Sequence, residues 1–173
     1  MPSQTDILAY APWLRRTTPY IQSHRGRTFV IYIDDATIAQ PQFHNICQDI
    51  ALLHSLGIRL VLSFGVRTQI DNELQKRQIE STFVNGLRIS SEETMPIIEQ
   101  VIGQLRAHIE AHLSQGLPNS PSQSTRISVV SGNLVTARPI GIHNGVDFIN
   151  TGAVRRIDCG NVKTLLDSHA IVL

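Results

Sequence analysis

The stretch that decides the fold is residues 29–64, which read FVIYIDDATIAQPQFHNICQDIALLHSLGIRLVLSF. Its two ends, Phe29–Ile33 and 58–64, are almost continuously apolar, which is typical of parallel strands buried on both faces. Between them, residues 43–56 carry apolar side chains at helical spacing, and Gly57 follows as a C′ glycine that ends the helix. A strand, a helix and a strand at this distance predict a βαβ unit.

Beyond this unit, helical and strand patterns continue to the end of the chain. Residues 68–78 and a long segment opened by a capping box at Ser90 predict helices, and short strands are predicted between 127 and 157. The last residues, 170–173, predict another buried parallel strand. Because a free carboxylate is unfavourable in a core, we expect the chain to be the N-terminal piece of a longer protein. The alternative is an edge strand that ends in solvent.

The N-terminal segment has a different pattern. Residues 1–25 predict a helical arm, which Pro12 kinks or begins and in which Pro19 opens a second helix. Trp13 and Tyr20 would be exposed on such an arm, so we expect self-association to cover them. The predicted organisation is therefore an arm at 1–25 and a main body at 26–173.

Composition excludes several classes of protein. The 173 residues include 15 Lys and Arg and 14 Asp and Glu, a net charge of +1, so the basic excess of a nucleic-acid or membrane-surface binder is absent. No apolar run is long enough to cross a membrane, and the polar N-terminus lacks the order of a secretory signal. Cys47 and Cys159 lie in no CxxC pair, which predicts reduced thiols in a cytoplasmic protein.

Polar turns follow both strands of the predicted βαβ unit, at the edge of the sheet where ligands bind in open α/β folds. Asp34 and Asp35 follow the first strand, and Gly65 follows the second. Five stretches in order resemble the amino-acid kinase family, and most closely the kinase-like domain of the bacterial N-acetylglutamate synthase family. They are residues 29–38, 53–61, 65–70, 85–89 and 130–133.

This resemblance runs from about residue 14 to residue 173. It implies a three-layer α/β/α sandwich with a mainly parallel sheet, of which the chain holds the N-terminal half after a helical arm. In that family the kinase-like domain binds L-arginine, and a second domain transfers acetyl from acetyl-CoA to L-glutamate. The chain is then a non-catalytic sensing region of arginine biosynthesis that holds no cofactor, and acetyl-CoA is the substrate of a domain outside it. L-Glutamate and N-acetylglutamate are further ligands to consider.

The resemblance also implies roles for single residues. Arg88 matches the residue that holds the α-carboxylate of the substrate in related kinases, although pairing with a surface acid such as Glu92 is an open alternative. Gly65 and Asn133 are further ligand-binding candidates, and Tyr20 matches the arm of arginine-sensitive relatives, where it would lie near the inhibitor.

The same resemblance indicates that the chain has lost residues that phosphoryl transfer requires. Tyr32 stands where active kinases have a lysine, and Asp34 and Asp35 stand where they have paired glycines. Carboxylates at a phosphate position repel the ligand, which argues against ATP. Three alternatives stay open: an N-acetylglutamate kinase that uses ATP, a Mg²⁺ ion held by Asp34 or Asp35, and a stand-alone oligomerisation module. His108 and His112 share a helix face but lack a third ligand, so no metal site is predicted.

Overall fold

A computed structural model of the chain describes residues 4–116 and 127–173. The helices are α1 (Gln4–His24), α2 (Asp35–Ile38), α3 (Phe43–Ser55), α4 (Arg67–Lys76), α5 (Met95–Ser114) and α6 (Cys159–Asp167). The strands are β1 (Thr28–Ile33), β2 (Arg59–Phe64), β3 (Phe83–Val84), β4 (Leu87–Arg88), β5 (Ser128–Val130), β6 (Val135–Pro139), β7 (Ile142–His143), β8 (Val146–Asp147), β9 (Gly152–Ile157) and β10 (Ala170–Val172).

The main sheet has four parallel strands in the order β1-β2-β10-β5. β1 and β2 pair from Thr28↔Arg59 to Ile33↔Phe64, as the βαβ pattern predicts. β10 is bonded on both sides, and all three of its residues are buried. The prediction of a buried parallel strand is confirmed, and the edge-strand alternative for residues 170–173 is wrong.

One face of this sheet is covered by two helices and is mostly buried. α3 and α5 pack against it, because their apolar residues fall on one side at helical spacing and bury it against the strands. Leu60 and Ile171 from the sheet and Ile109 from α5 have no exposed surface. α4 lies outside this layer and packs against α5 through Ile70 and other apolar side chains.

The opposite face is only partly covered. α6 packs over the middle strands, where Leu166 contacts Val61 and Val172. At the edge strand β1, the side chains of Val30 and Tyr32 are 72% and 65% exposed. Burial of both faces was therefore the wrong prediction for β1, because α6 does not reach the edge of the sheet. The three-layer α/β/α arrangement itself is confirmed, with helices on both sides.

The N-terminal helix α1 is continuous through Pro12 and Pro19, so the predicted second helix at Pro19 does not form. A proline removes one backbone hydrogen bond, but its fixed φ is compatible with helix. None of the described side chains between residues 12 and 24 is buried. The backbone N–H of Gly26 donates to the carbonyl of Gly57 at 2.8 Å, which fixes the end of α1 to the turn after α3.

Three antiparallel pairs lie outside the main sheet: β3 with β4, β6 with β9, and β7 with β8. The capping box predicted at Ser90 is absent, and α5 begins later, after Thr94. The Ser90 backbone N–H instead donates to Thr151 Oγ1 at 3.0 Å. Ser90 thus connects the segment after β4 to the segment before β9. Within residues 4–116 and 127–173, no helix has the length and apolar character needed to span a membrane.

Candidate functional site

The turns after β1 and β2 meet the β3–β4 hairpin at the carboxyl edge of the sheet. They enclose an open cavity of about 420 Å³. The position agrees with the rule that ligands of open α/β sheets bind beyond the carboxyl ends of the strands. Its lining combines aromatic and aliphatic side chains with three charged ones: Tyr32, Asp35, Phe64, Gly65, Val66, Arg67, Ile70, Phe83, Gly86, Leu87 and Arg88.

Asp34 caps the short helix α2. Its Oδ1 accepts hydrogen bonds from the backbone N–H groups of Ala36 at 2.6 Å and Thr37 at 3.2 Å. An aspartate is well suited to this position, because its carboxylate satisfies N–H groups that have no partner inside the helix. The first residue of the predicted phosphate turn therefore serves as a helix cap.

The side chain of Asp35 connects the turn after β1 to the turn after β2. Its Oδ2 accepts from the Thr68 backbone N–H at 2.7 Å, in the first turn of α4, and its Oδ1 accepts from Ala36 at 3.0 Å. Gln69 Nε2 donates to the backbone carbonyl of Asp35 at 2.8 Å. Hydrogen bonding from Thr68, by its side chain and its backbone N–H, holds the pKa of the Asp35 carboxyl below its ordinary value of 3.8.

Together the two carboxylates occupy the positions that an anionic ligand would need. Backbone N–H groups at helix starts bind phosphate in many proteins, but here Asp34 Oδ1 and both carboxylate oxygens of Asp35 accept those hydrogen bonds. Each carboxylate keeps lone pairs beyond these hydrogen bonds, so the Mg²⁺ alternative that the sequence left at Asp34 or Asp35 stays a prediction.

Gly65 allows these turns to approach each other. A Cβ atom at this position would lie 2.7 Å from the Tyr32 hydroxyl and 3.0 Å from the Asp35 backbone nitrogen. The Tyr32 hydroxyl ends an exposed side chain that can rotate away, so the contact with the Asp35 backbone is the one that limits a side chain at this position. Gly65 therefore lines the cavity for a steric reason, and its role in ligand binding stays a prediction.

Arg88 lies in the β3–β4 hairpin, whose turn residues Asn85 and Gly86 have φ values of 51° and 80°. Its side chain is 10% exposed, and its Nη2 lies 2.8 Å from Asp71 Oδ1. Its Nη1 also donates to Ser81 Oγ. Arg88 is thus paired with an acid, as the sequence alternative expected, and that acid is Asp71 rather than Glu92.

Phe83 stands between two guanidinium groups. The Cζ atoms of Arg67 and Arg88 lie 4.3 Å and 4.6 Å from the centre of its ring. Sequence reasoning missed Phe83, Arg67 and Asp71 as site residues. The available signal was position, because Arg67 follows directly on the turn that contains Gly65.

Two predicted ligand-binding residues lie away from this cavity. Asn133 is exposed in the turn after β5, and Tyr20 is 69% exposed on α1. Neither belongs to the lining described above. The cavity brings together four of the predicted residues: Tyr32, Asp35, Gly65 and Arg88. Asn133 lies apart from them because β5 is at the opposite edge of the sheet from β1, and Tyr20 lies on α1.

The two histidines of α5 pack against an aromatic ring of α3. The ring centres of His108 and His112 are 4.5 Å apart, and both rings contact Phe43. Burial, and then the nearby His108 and His44, lowers the pKa of His112 below 6.5. In residues 4–116 and 127–173, no three His, Cys, Asp or Glu side chains are grouped as a metal site requires.

Comparison with known proteins gives consistent relatives. An amino-acid acetyltransferase of Shewanella oneidensis is 48% identical over 159 residues, which are 92% of this chain and 36% of that protein. One of Aeromonas salmonicida is 49% identical over 173 residues, 100% of this chain and 39% of that protein. The chain thus spans little more than a third of the length of these curated relatives.

Solved structures agree. The crystal structure of N-acetylglutamate synthase from Neisseria gonorrhoeae complexed with coenzyme A and L-arginine matches with a TM-score of 0.84 and 33% identity, over 92% of this chain and 37% of that chain. The same enzyme complexed with coenzyme A and N-acetyl-glutamate matches with a TM-score of 0.81 and 32% identity, over 94% and 36%. The resemblance to the kinase-like region of these synthases is therefore confirmed.

The amino acid kinase family matches residues 27–173, from the residue before β1 to the end of the chain. That range contains the parallel sheet, both turns of the cavity and the hairpin that holds Arg88. On this match, this chain belongs to the amino acid kinase family.

Proposed function

We propose that this chain is the arginine-sensing, non-catalytic kinase-like region of a cytoplasmic N-acetylglutamate synthase. The complete protein would transfer acetyl from acetyl-CoA to L-glutamate, the first step of arginine biosynthesis, in a domain outside this chain. Relatives named amino-acid acetyltransferase support this assignment, as do the gonococcal synthase structures with coenzyme A, L-arginine or N-acetyl-glutamate.

The observation that carries the proposal is the hydrogen bond from the Thr68 backbone N–H to Asp35 Oδ2. The Asp35 carboxylate already accepts this hydrogen bond at the start of α4. A nucleotide phosphate in the same place would have to displace the carboxylate and would then lie beside its negative charge. Two like charges about 4 Å apart repel by roughly 1 kcal/mol in water and about 4 kcal/mol at an effective dielectric of 20. Phosphoryl transfer depends on positioning and charge neutralisation, and both are disfavoured here.

Nucleotide binding tests this proposal directly. Calorimetric titration of the full chain with Mg-ATP should show no saturable binding, and the chain should not phosphorylate N-acetylglutamate. A triple variant, Tyr32→Lys with Asp34→Gly and Asp35→Gly, should gain affinity for the nucleotide. Asp49→Asn, which removes a charge from an exposed position on α3, should not. Micromolar binding with phosphoryl transfer by the unsubstituted chain would overturn the proposal in favour of an acetylglutamate kinase.

We also propose that residues 1–25 form an arm through which copies of the protein associate. Support comes from Trp13 and Tyr20, which are 62% and 69% exposed on α1. Contiguous exposed apolar patches mark sites of protein–protein contact. Deletion of residues 1–25 should lower the sedimentation coefficient beyond the loss of mass, whereas Trp13→Ala with Tyr20→Ala should lower it without shortening the chain. An unchanged oligomeric state in both would contradict this role.

The exposed arm also favours a second candidate function, a stand-alone oligomerisation module with no sensing role. The reading frame beyond Leu173 separates the two. Continuation into an acetyltransferase sequence supports the sensing region of a synthase, and a stop codon supports the module.

A further inference from the structure

We propose that Thr151 is a positioning residue for Arg88, and that residues 147–151 form a strap that holds the β3–β4 hairpin at the cavity. Thr151 lies outside the cavity lining and 63 residues after Arg88 in the chain. The inference deepens the proposed function, and it rests on that function only in treating Arg88 as part of the ligand site. It holds whichever ligand the cavity takes.

Hydrogen bonds join the strap to the segment that follows β4. Thr151 Oγ1 donates to the backbone carbonyl of Arg88 at 2.5 Å and accepts from the Ser90 backbone N–H at 3.0 Å. The backbone N–H of Asn150 donates to the Ser90 carbonyl, also at 3.0 Å. A hydroxyl can donate and accept at the same time because it carries one donor and two lone pairs. A single side chain therefore connects two positions of the hairpin segment.

The surroundings of these bonds are largely closed to water. Ser90 is buried, and Phe148 of the strap is buried as well. A buried N–H that loses its acceptor pays the full cost of desolvation, because water cannot easily take the place of the lost partner. Removal of the Thr151 hydroxyl would leave the Ser90 N–H in that condition. The segment after β4 would then have to move to find another partner.

The strap has a backbone conformation that its own residues do not favour. Ile149 has a φ of 52°, a region that β-branched residues rarely adopt, and its side chain is exposed. It forms a parallel bridge with Ser90, and its backbone N–H donates to Asp147 Oδ1 at 2.9 Å. Such a conformation persists only where the surrounding contacts over-determine it. The contacts with Ser90 are therefore part of what holds the strap in this shape.

The hairpin needs this external attachment because it is very short. Its strands pair through only two residue pairs, Phe83↔Arg88 and Val84↔Leu87, and an isolated two-stranded hairpin is marginally stable at best. The Arg88 guanidinium nevertheless has a defined place, with Nη2 at 2.8 Å from Asp71 Oδ1 and Cζ at 4.6 Å from the centre of the Phe83 ring. The bond from Thr151 fixes the backbone from which that side chain extends.

The position of Arg88 gives the decisive measurement. Its guanidinium lies over the Phe83 ring, so the ring current should displace the Arg88 Nε–H resonance in NMR spectra of the ¹⁵N-labelled full chain. Thr151→Val keeps the shape of threonine without the hydroxyl, and it should move this resonance towards that of an unstructured arginine. Thr151→Ser keeps the hydroxyl and should leave it in place. A purely structural role for Thr151 would lower stability without moving the resonance.

Hydrogen exchange gives a second measurement. The Ile89 amide donates to the Thr82 carbonyl at the base of the hairpin. In Thr151→Val it should exchange about tenfold faster or more, the scale expected for losing a buried hydrogen bond. Thr164→Val is the matched control, because Thr164 Oγ1 also donates to a backbone carbonyl, that of Gly160, but within α6. This control should change neither the Ile89 rate nor the Arg88 resonance.

An unmoved Arg88 resonance in Thr151→Val would overturn the proposal, and so would a Thr151→Ser variant that behaves like Thr151→Val. Failure of this proposal is distinguishable from failure of the proposed function. Nucleotide binding with phosphoryl transfer would overturn the non-catalytic assignment whatever the Arg88 resonance does. Conversely, an unmoved resonance in a chain that binds no nucleotide would remove only the role of Thr151 and leave the sensing assignment in place.

Discussion

The two faces of the parallel sheet differ sharply although the same strands form both. On the face covered by α3 and α5, Leu60 and Ile171 have no exposed surface. On the opposite face, α6 covers the middle of the sheet, and Val30 at the edge is 72% exposed. A hydrophobic strand sequence therefore predicts only that the strand belongs to a sheet. The helices that pack on the sheet decide which of its side chains are buried and stabilise the fold.

The largest effect should come from truncating a side chain on the covered face. Leu60→Ala should lower the free energy of unfolding by about 2–5 kcal/mol, because it removes buried contacts and leaves a cavity. Val30→Ala on the neighbouring strand, on the open face, should change it by less than about 0.5 kcal/mol. Urea denaturation of both variants measures the difference. A loss at Val30 as large as at Leu60 would show that the open face is covered in solution.

The next largest change in stability is expected at Gly65, which lies at the end of β2 next to the Tyr32 hydroxyl. Gly65→Ala should cost about 1–3 kcal/mol, because its Cβ meets the Tyr32 hydroxyl and the Asp35 backbone. Gly132→Ala is the control, since a Cβ there has no atom within 4 Å. Adding Tyr32→Phe removes the hydroxyl and should restore part of the loss in thermal denaturation. No recovery would assign the clash to the Asp35 backbone alone.

A smaller effect is expected from Asp35, which joins the two turns at this edge. Asp35→Ala should cost about 0.5–2 kcal/mol, the range for replacing a side chain that caps a helix start by alanine. Because the folded pKa of Asp35 lies below 3.8, its contribution is present above that pH and is lost as the pH falls through the folded pKa. Asp35→Asn should therefore flatten the acid limb of a stability–pH curve, and Asp49→Asn should not.

The smallest effect should be a pH dependence on the covered face. His112 on α5 packs against Phe43 of α3, and burial holds its pKa in the folded chain below the ordinary 6.5. The unfolded chain then binds more protons than the folded chain, so stability falls as the pH drops below about 6.5. His112→Gln should reduce this slope between pH 7 and pH 5 in denaturation experiments. His143→Gln, at an exposed position, is the control, and equal slopes in both variants would exclude His112 as the source.

Several parts of the site could be read from the sequence because they depend on local patterns. The turns at Asp34 and Gly65 follow from strands that end in polar residues, whereas Arg88 was identified by its match to a residue of related kinases. Pairings between distant residues could not be read in this way. Arg88 meets Asp71 and Arg67 meets Phe83 only because α4 and the β3–β4 hairpin lie side by side in the fold.

The sequence alone determined the α/β class, the parallel βαβ unit and the helical character of the N-terminal segment, because hydrophobic periodicity and glycine positions act within a few residues. It also determined that acids replace glycines at the phosphate turns. Only the tertiary structure decided that β10 lies between β2 and β5, that Val30 is exposed and that Asn133 is far from Arg88. Those features depend on which surfaces pack together, and packing is a property of the whole chain that no short segment encodes.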